Sequence, residues 1–346
     1  MMLLKKLLYA LLCACQIHHI FRYINREKVV ALAYHGAVES RPSFPLWGQL
    51  EYKRFKEQID HICRFYNVIS IDWLADYLNG NRDLPNNSVL ITFDDGYRNN
   101  YEVAYSLLLQ KNIPATIFIT TNFLTSGELL WFDQIAVSLH SYRGPLTIPF
   151  LNLDISITDE NRGDQIEMLI QKCKTLDPMK RLDLIDNLKK LPDDKLPVNS
   201  KLQEILEPMR LDQVKELDRS PLITIGAHTA DHEILTKCSL EEAESQILQS
   251  KKTLEKILEK PVHSFAYPNG KREDFNSNTQ ALLKKSGFNL AFTTVRRLVE
   301  LDTSRYEIGR FCIGNDLSSF KPLFYLTLAG FIDNLKRCIR LKKDGI

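Results

Sequence analysis

The sequence predicts an α/β protein built on a parallel β-sheet. Two observations support that prediction: the alternation of apolar runs with helical patterns, and a length that is enough for one large domain. From residue 29 onward, short apolar runs alternate with segments whose apolar residues recur at helical spacing. Strands that alternate with helices form parallel sheets, because each helix returns the chain to the edge where the next strand begins. Such a sheet can stay open or close into a barrel. The length of 346 residues is enough for one large domain.

Eight apolar runs are predicted to be strands, and the segments between them carry helix signals. Residues 239–260 predict a long helix, because Ser239 and the acidic residue three positions later form a capping signature. Gly287 is a natural helix stop after residues 278–286. Helical spacing also marks 52–66 and 101–112. The predicted strands are 29–35, 68–70, 88–95, 115–121, 222–229, 264–268, 290–294 and 306–313.

The alternation is interrupted from about residue 128 to 210, where charged residues and helix formers dominate. We interpret this stretch as an insertion of a short hairpin and a few helices that covers one rim of the barrel. The main domain is predicted to span 28–315 around it. An N-terminal amphipathic segment, 1–27, and a C-terminal helix with a basic tail, 316–346, complete the predicted organisation.

Both ends of the chain combine apolar stretches with basic residues. Lys5 and Lys6 precede an apolar stretch that is shorter than the ~20 residues a membrane-spanning helix needs. We predict an amphipathic helix that packs on the domain or lies at a membrane surface, and residues 316–346 have the same character. No clean signal-peptide cleavage site follows. The predicted location is therefore the cytoplasm or the periphery of the inner membrane, with export as the alternative.

Composition argues against two other classes of protein. The net charge of +2 and the lack of a concentrated basic arm argue against a nucleic-acid partner. The seven cysteines are scattered and show no CxxC spacing, which argues against a disulfide framework or a cysteine zinc site. Free cysteines favour a reducing compartment.

Polar residues cluster where several predicted strands end, which is where α/β proteins carry their chemistry. Asp94 and Asp95 end one strand, and His35 ends the first. His228 and His232 follow another strand at positions i and i+4, which one helical turn would place on a common face.

Two histidines and one carboxylate suit a catalytic divalent metal, because they leave a coordination position open for water. The metal lowers the pKa of that water to ~7, and a second carboxylate can take its proton. Taken singly, the paired aspartates could cap a turn, the histidine spacing could be chance, and His35 could be structural. Their joint occurrence at strand ends favours a site. A two-histidine, one-carboxylate iron oxygenase is a second enzyme class, which the order of these residues fits poorly.

Three segments resemble the first three motifs of the polysaccharide deacetylases, the family 4 carbohydrate esterases that share a NodB-homology domain. They are ITFDDG (91–96), GAHTADH (226–232) and FAYPNG (265–270). The resemblance runs from about 28 to 315 and implies a deformed (β/α)7 barrel of NodB type, with a helical insertion and terminal helices.

The resemblance also implies an activity. The expected reaction is metal-dependent hydrolysis of N-acetyl or O-acetyl groups from a polysaccharide or lipid-linked glycan, with release of acetate. The protein would then be a hydrolase acting on carbon–nitrogen bonds other than peptide bonds, and its partner an acetylated glycan. The alternative is a catalytically degenerate protein that binds glycan.

Site roles follow from the same resemblance. Asp94 is the expected general base, and Asp95, His228 and His232 are the expected metal ligands. Zn²⁺ is the expected ion, with Co²⁺, Ni²⁺ or Fe²⁺ as alternatives. The backbone N–H of Tyr267 is expected to help hold the developing oxyanion.

The sequence departs from the family pattern at two positions. Many members carry an arginine where this chain has Ala266, so we expect Arg310 to supply the charge that orients the base. The late histidine that acts as general acid is also absent. A subgroup acting on poly-N-acetylglucosamine-like exopolysaccharides places the equivalent histidine on the first strand, and His35 is therefore the expected acid.

Overall fold

A curled parallel sheet forms the centre of the protein, whose computed structural model describes residues 2–40, 46–140, 142–191 and 200–335. Within these residues the strands are β1 Val29–Tyr34, β2 Gly36–Val38, β3 Gln49–Glu51, β4 Asn67–Val68, β5 Ser88–Phe93, β6 Ala115–Ile119, β7 Gly144–Ile148, β8 Leu153–Ile157, β9 Ile223–Ala227, β10 Ser264–Ala266, β11 Leu290–Phe292 and β12 Phe311–Cys312.

Helices connect most of these strands. They are α1 Met2–Ala14, α2 Ile17–Ile24, α3 Tyr52–Phe65, α4 Ile71–Leu78, α5 Ser106–Lys111, α6 Thr121–Ser126, α7 Trp131–His140, α8 Arg162–Cys173, α9 Pro178–Leu188, α10 Ser200–Leu206, α11 Leu211–Arg219, α12 Leu240–Leu258, α13 Ser277–Lys285 and α14 Lys321–Leu328. A π-helical segment, Asn100–Tyr105, leads into α5. The capping box predicted for the long helix is present, because the Ser239 hydroxyl accepts from the Glu242 N–H and the Glu242 carboxylate accepts from the Ser239 N–H.

The strand order in the main sheet is β11-β10-β9-β6-β5-β1-β12, and β4 pairs with the start of β5. The path of seven strands curls into a half-barrel, which confirms the predicted α/β class and the deformed barrel of NodB type. The central strands are buried along their whole length, as expected for parallel strands covered on both faces. Two small sheets stand apart, a parallel pair β2-β3 and an antiparallel hairpin β7-β8.

Register within the sheet brings the strand ends to one edge. β1 and β5 pair residue for residue from Val29 opposite Ser88 to Tyr34 opposite Phe93. The last residues of β6 and β9 also pair with each other. Because parallel strands have their carboxyl ends on the same side, the residues that follow β1, β5 and β9 become neighbours.

Each of the eight predicted runs overlaps a strand, but the strands are shorter than the runs, and β4 shares only Val68 with the run 68–70. β5 stops at Phe93, and the next residues leave the extended conformation: Asp95 has a φ of 75° and Gly96 a φ of 91°. A left-handed conformation cannot continue a strand. The polar residues that the apolar pattern placed at strand ends therefore lie in the loops that follow.

The stretch predicted as an insertion contains α7, the β7-β8 hairpin and α8 to α10. Its buried side chains form an apolar cluster of their own, which also includes Tyr97 from the loop after β5 and Phe123 from α6. Arg181 of α9 is 1% exposed, forms an ion pair with Glu233, and lies with its guanidinium 4.7 Å from the Trp131 ring centroid. These contacts fasten the stretch to the loop after β9. The domain boundaries themselves stay a prediction.

The N-terminal helices pack near α14, where the Cys13 thiol donates to the Pro322 carbonyl at 3.2 Å. No single described helix is long and apolar enough to cross a bilayer, whereas α1 and α2 together reach that length and composition but bend by 71° at their break. The basic tail predicted at the C-terminus lies largely beyond the described residues, which end at 335.

We expect Arg181→Ala to lower the free energy of unfolding by about 3 kcal/mol, because it leaves the Glu233 carboxylate poorly solvated without its cation. Urea unfolding followed by tryptophan fluorescence measures this loss. Lys189→Ala is the matched control, since Lys189 is exposed and 3.9 Å from Asp186, and should change stability by less than about 0.5 kcal/mol. Equal losses in the two variants would contradict the structural role of Arg181.

Candidate active site

The loops that follow β1, β5 and β9 are tied together by main-chain hydrogen bonds at the carboxyl edge of the sheet. The Asp94 N–H donates to the Tyr34 carbonyl at 2.9 Å, and the His228 N–H donates to the Ile119 carbonyl at 3.0 Å. The Thr120 N–H donates to the Asp95 carbonyl at 3.1 Å. The side chains singled out by the sequence are thus held by rigid strands at one place.

Asp95, His228 and His232 converge within this edge. The Nε2 atoms of His228 and His232 lie 3.5 Å and 3.3 Å from Oδ1 of Asp95. One ligand atom from each of the three residues lies within 4.8 Å of the other two. All three residues are buried. This is the geometry of three ligands around one small cation.

The chemistry of these donors fits a metal ion. Neither carboxylate oxygen of Asp95 has a hydrogen-bond partner within the described part of the chain, although both are buried. Burial raises the pKa of Asp95, since an enclosed carboxylate without a partner is costly. The His228 Nδ1 lies 2.7 Å from the Ala266 carbonyl, which can only accept, so Nδ1 carries the proton and Nε2 presents its lone pair towards Asp95.

The segment between the two histidines is not the helical turn that their spacing suggested. Thr229 and His232 have φ values of 65° and 58°, so the chain takes a looped path with two left-handed residues. Such conformations are costly for residues other than glycine and persist where surrounding contacts fix them. Here the Thr229 hydroxyl donates to the His228 carbonyl at 2.6 Å, and the Thr121 N–H donates to the Thr229 carbonyl at 3.2 Å. The loop brings both rings to the same side without a helix.

Asp94 points to a different partner from its neighbour. Two guanidinium nitrogens of Arg310 donate to its two carboxylate oxygens at 2.7 Å and 2.8 Å. Arg310 is fully buried and also donates to the Thr92 hydroxyl and the Thr293 carbonyl. Burial alone would raise the pKa of Asp94, but the Arg310 charge outweighs it and the pKa falls to about 2. Asp94 is therefore ionised at neutral pH, and Arg310 occupies the place expected from the departure at Ala266.

His35 follows β1 directly and lies beside the aspartate pair. Its ring centroid is 5.2 Å from that of Trp47, in an edge-on arrangement. Its Nδ1 is buried and makes no hydrogen bond among the described residues. Burial lowers the pKa of His35, whereas the carboxylates of Asp95 and Asp94 act in the opposite direction. The same two carboxylates therefore act on the His35 imidazole and on the candidate metal ligand His228.

The structure corrects the expectation for Tyr267. Its N–H donates to the Phe292 carbonyl at 2.9 Å and is committed to pairing with β11, so it is not free to donate to a substrate oxygen. Two residues later, Asn269 has a φ of 60°, and its N–H makes no main-chain hydrogen bond among the described residues. The Thr294 hydroxyl donates to the Asn269 carbonyl at 2.6 Å and fixes this loop.

Several residues at the site were not found by sequence reasoning. The Trp131 indole N–H donates to the His232 carbonyl at 3.3 Å, and the Phe132 ring centroid is 5.0 Å from the His232 ring. The Lys174 ammonium donates to Oδ1 of Asn269 at 2.9 Å. None of these residues belongs to a motif. The available signal was composition, because the sequence has three tryptophans and two of them, Trp47 and Trp131, lie at this site.

Comparisons with known structures agree with this fold. A deacetylase from Streptococcus pyogenes, PplD in complex with acetate, has a TM-score of 0.58 at 17% identity, covering 87% of this chain and 98% of that one. IcaB from Ammonifex degensii has a TM-score of 0.54 at 19% identity, covering 88% and 97%. A de-N-acetylase from Aggregatibacter actinomycetemcomitans has a TM-score of 0.52 at 17% identity, covering 86% and 99%. At these identities the likeness is one of fold.

Comparison of sequences gives a match to one family model. No curated protein sequence matches the chain. The profile described as polysaccharide deacetylase matches residues 81–145 and 193–291. The matched segments contain Asp94, Asp95 and both histidines of the candidate metal site, whereas His35 and Arg310 lie outside them. The chain therefore matches the polysaccharide deacetylase family in these two segments, and its fold is that of the deacetylases compared above.

Proposed function

We propose that this protein removes N-acetyl groups from a polysaccharide or lipid-linked glycan by metal-dependent hydrolysis, releasing acetate. The observation that carries the proposal is the division of labour between adjacent carboxylates. Asp95 is buried, without a hydrogen-bond partner among the described residues, and faces two imidazole nitrogens. Asp94 is held ionised by Arg310 and is not one of the three candidate metal ligands. This arrangement supports metal-dependent hydrolysis, and we propose that the bond cleaved is a carbon–nitrogen bond other than a peptide bond.

Asp95, His228 and His232 would hold the metal, for which two imidazoles and one carboxylate suit Zn²⁺, with Co²⁺, Ni²⁺ or Fe²⁺ as alternatives. A divalent ion bound there supplies a Lewis acid that polarises the acetyl carbonyl and lowers the pKa of water to about 7. The hydrogen bond from His228 Nδ1 to Ala266 fixes the ring orientation that such binding needs.

Asp94 is proposed to take the proton of the attacking water. Its low pKa keeps it available at neutral pH, and Arg310 holds both carboxylate oxygens in one orientation. Arg310 thus acts as a positioning residue. The N–H of Asn269, rather than that of Tyr267, is proposed as the backbone donor for the oxyanion that develops on the acetyl oxygen.

His35 is proposed to deliver the proton that the leaving amine needs. Water adds to the acetyl carbon and gives a proton to Asp94, the carbon–nitrogen bond breaks, and the amine leaves with a proton from the His35 imidazolium, the form that the Asp94 and Asp95 charges favour. The products are acetate and a free amino sugar. The N-acetyl group is favoured over an O-acetyl group because an amine is a poor leaving group that requires such a donor, and because a protein of the same fold is a de-N-acetylase.

A glycan-binding protein without catalysis is the alternative function. It would retain the fold and bind an acetylated glycan but release no acetate. Acetate release from N-acetylated oligosaccharides, measured on protein stripped with chelator and refilled with Zn²⁺, Co²⁺ or Ni²⁺, separates the two. Metal-dependent release supports the proposal, whereas stoichiometric metal binding without acetate from any acetylated glycan favours the alternative.

We expect His228→Ala and His232→Ala each to abolish bound metal and acetate release together, because two ligands do not form a stable site. Metal content per chain is measured after dialysis. His263→Ala is the matched control, because His263 is exposed and outside the site, and it should keep full metal content. Full metal content in either site variant would remove that histidine from the ligand set.

We expect Asp94→Asn to keep its metal and to lose acetate release by about 10² to 10⁴-fold, the usual contribution of a general base. The amide keeps the shape of the side chain but cannot accept the water's proton. Single-turnover rates at saturating metal measure the effect, and the exposed Asp302→Asn serves as control. Activity within threefold of the parent protein would show that another group is the base.

We expect the effect of His35→Ala on the rate of hydrolysis to depend on the leaving group of the substrate. Release of acetate from an N-acetylated sugar should fall by about 10²-fold, whereas hydrolysis of an aryl acetate should change little, because a phenolate leaves without a proton. The ratio of the two rates is the readout, and His263→Ala should leave it unchanged. Equal losses on both substrates would show that His35 shapes the site without acting as the acid.

A further inference from the structure

Helix α1 exposes a row of leucines that no part of the described protein covers. We name Leu3, Leu4, Leu7, Leu8 and Leu11 the leucine face; they are 71%, 72%, 59%, 51% and 61% exposed. No residue of α1 is buried. An exposed apolar patch of this kind is typical of a surface that binds another protein or a membrane.

Helical geometry gives the leucine face a clear orientation. At about 100° per residue, its five side chains fall within an arc of roughly 140°. Lys5 and Lys6 lie about 60° beyond the two margins of that arc, one on each side. The opposite side of α1 packs on the start of α14, where the Lys6 ammonium lies 5.8 Å from the Phe320 ring centroid and the Cys13 thiol donates to Pro322. The leucine face therefore points away from the protein between two lysines.

Charge selects among possible partners of this surface. The first 26 residues contain Lys5, Lys6, Arg22 and Arg26 and no acidic residue, and the first carboxylate is that of Glu27. The described helix α14 has none either. A second copy of this chain would bring the same positive charges into contact, whereas an anionic lipid surface would neutralise them. Leucines between flanking lysines match the acyl and phosphate layers of such a surface.

Contacts place α1 at the end of the barrel that carries the candidate active site. Ser319, just before α14, accepts from Arg54 in the first turn of α3 at 3.0 Å. The Asn315 N–H donates at 2.6 Å to the carbonyl of Trp47, whose ring packs on His35. Phe320 and Pro322 thus belong to the carboxyl edge of the sheet, and α1 packs on them.

We propose that the leucine face inserts into the surface of an anionic bilayer, with Lys5 and Lys6 at the level of the lipid phosphates. The protein then lies on the membrane with its candidate active site near the headgroups. The consequence for the substrate rests on the proposed function: the glycan to be deacetylated is presented at the membrane surface. The docking itself does not depend on that activity.

Sedimentation of the whole 346-residue chain with vesicles tests the proposal. We expect binding to vesicles of phosphatidylcholine and phosphatidylglycerol, weaker binding to phosphatidylcholine alone, and release by high salt. Leu7→Glu combined with Leu11→Glu should weaken binding by at least about tenfold, because two leucines at the centre of the face lose their burial. Leu109→Glu combined with Leu301→Glu is the control, since both leucines are exposed elsewhere and should leave binding unchanged.

Charge reversal tests the flanking lysines separately. Lys5→Glu with Lys6→Glu should abolish the preference for anionic vesicles, whereas Lys252→Glu with Lys256→Glu on the exposed side of α12 should not. Absence of vesicle binding, or unchanged binding in the Leu7 and Leu11 variant, overturns the proposal. So does a dimer that dissociates in that variant, which would assign the face to a second copy, or resistance to alkaline extraction, which would indicate a spanning segment.

A failure of docking is distinguishable from a failure of the proposed function. The Leu7 and Leu11 variant should release acetate from a soluble oligosaccharide at the parent rate, because neither residue contacts the candidate site. Loss of vesicle binding with unchanged acetate release supports the proposal that the leucine face docks on the membrane, and it does so independently of the proposed function.

Discussion

Two carboxylates that emerge side by side from a buried strand set the central constraint on this protein. Neither Asp94 nor Asp95 is more than 2% exposed, so each negative charge requires its own compensation within the fold. Asp94 receives it from Arg310, which reaches across from the start of β12. Asp95 instead faces two imidazoles and keeps both oxygens without a hydrogen bond within the described chain. The difference between the two environments is what separates a candidate ligand from a candidate base.

Much of the fold could be predicted because apolar periodicity and strand alternation are local properties of the sequence. The metal-ligand candidates were equally accessible, since each lies in a short motif directly after a strand. The path between His228 and His232 was not, because spacing alone cannot distinguish a helical turn from a loop with two left-handed residues. The backbone of Tyr267 was misjudged for a similar reason: which N–H is free depends on where β10 and β11 stop pairing.

Sequence reasoning also missed residues that reach the site from far along the chain. Trp131, Lys174 and Arg181 belong to the stretch that interrupts the barrel and follow no pattern that marks them as site residues. Their positions depend on how that stretch packs, which is a tertiary property. Arg310 could be anticipated only because a charge was missing at Ala266. This stretch therefore contributes contacts to His232 and Asn269, while the loops after the strands carry the candidate ligands and base.

The position of Arg310 has a consequence for how the protein is made. A ribosome delivers the chain from its N-terminus, so Asp95, His228 and His232 have all emerged once residue 232 leaves the exit tunnel. The guanidinium that stabilises Asp94 arrives with β12, whose Phe311 and Cys312 pair with Leu32 and Ala33 of β1. Any sheet that formed before residue 310 emerged would carry the Asp94 carboxylate without its counter-ion at the end of a central strand. The edge strand β12 and the counter-ion of Asp94 therefore join the sheet together.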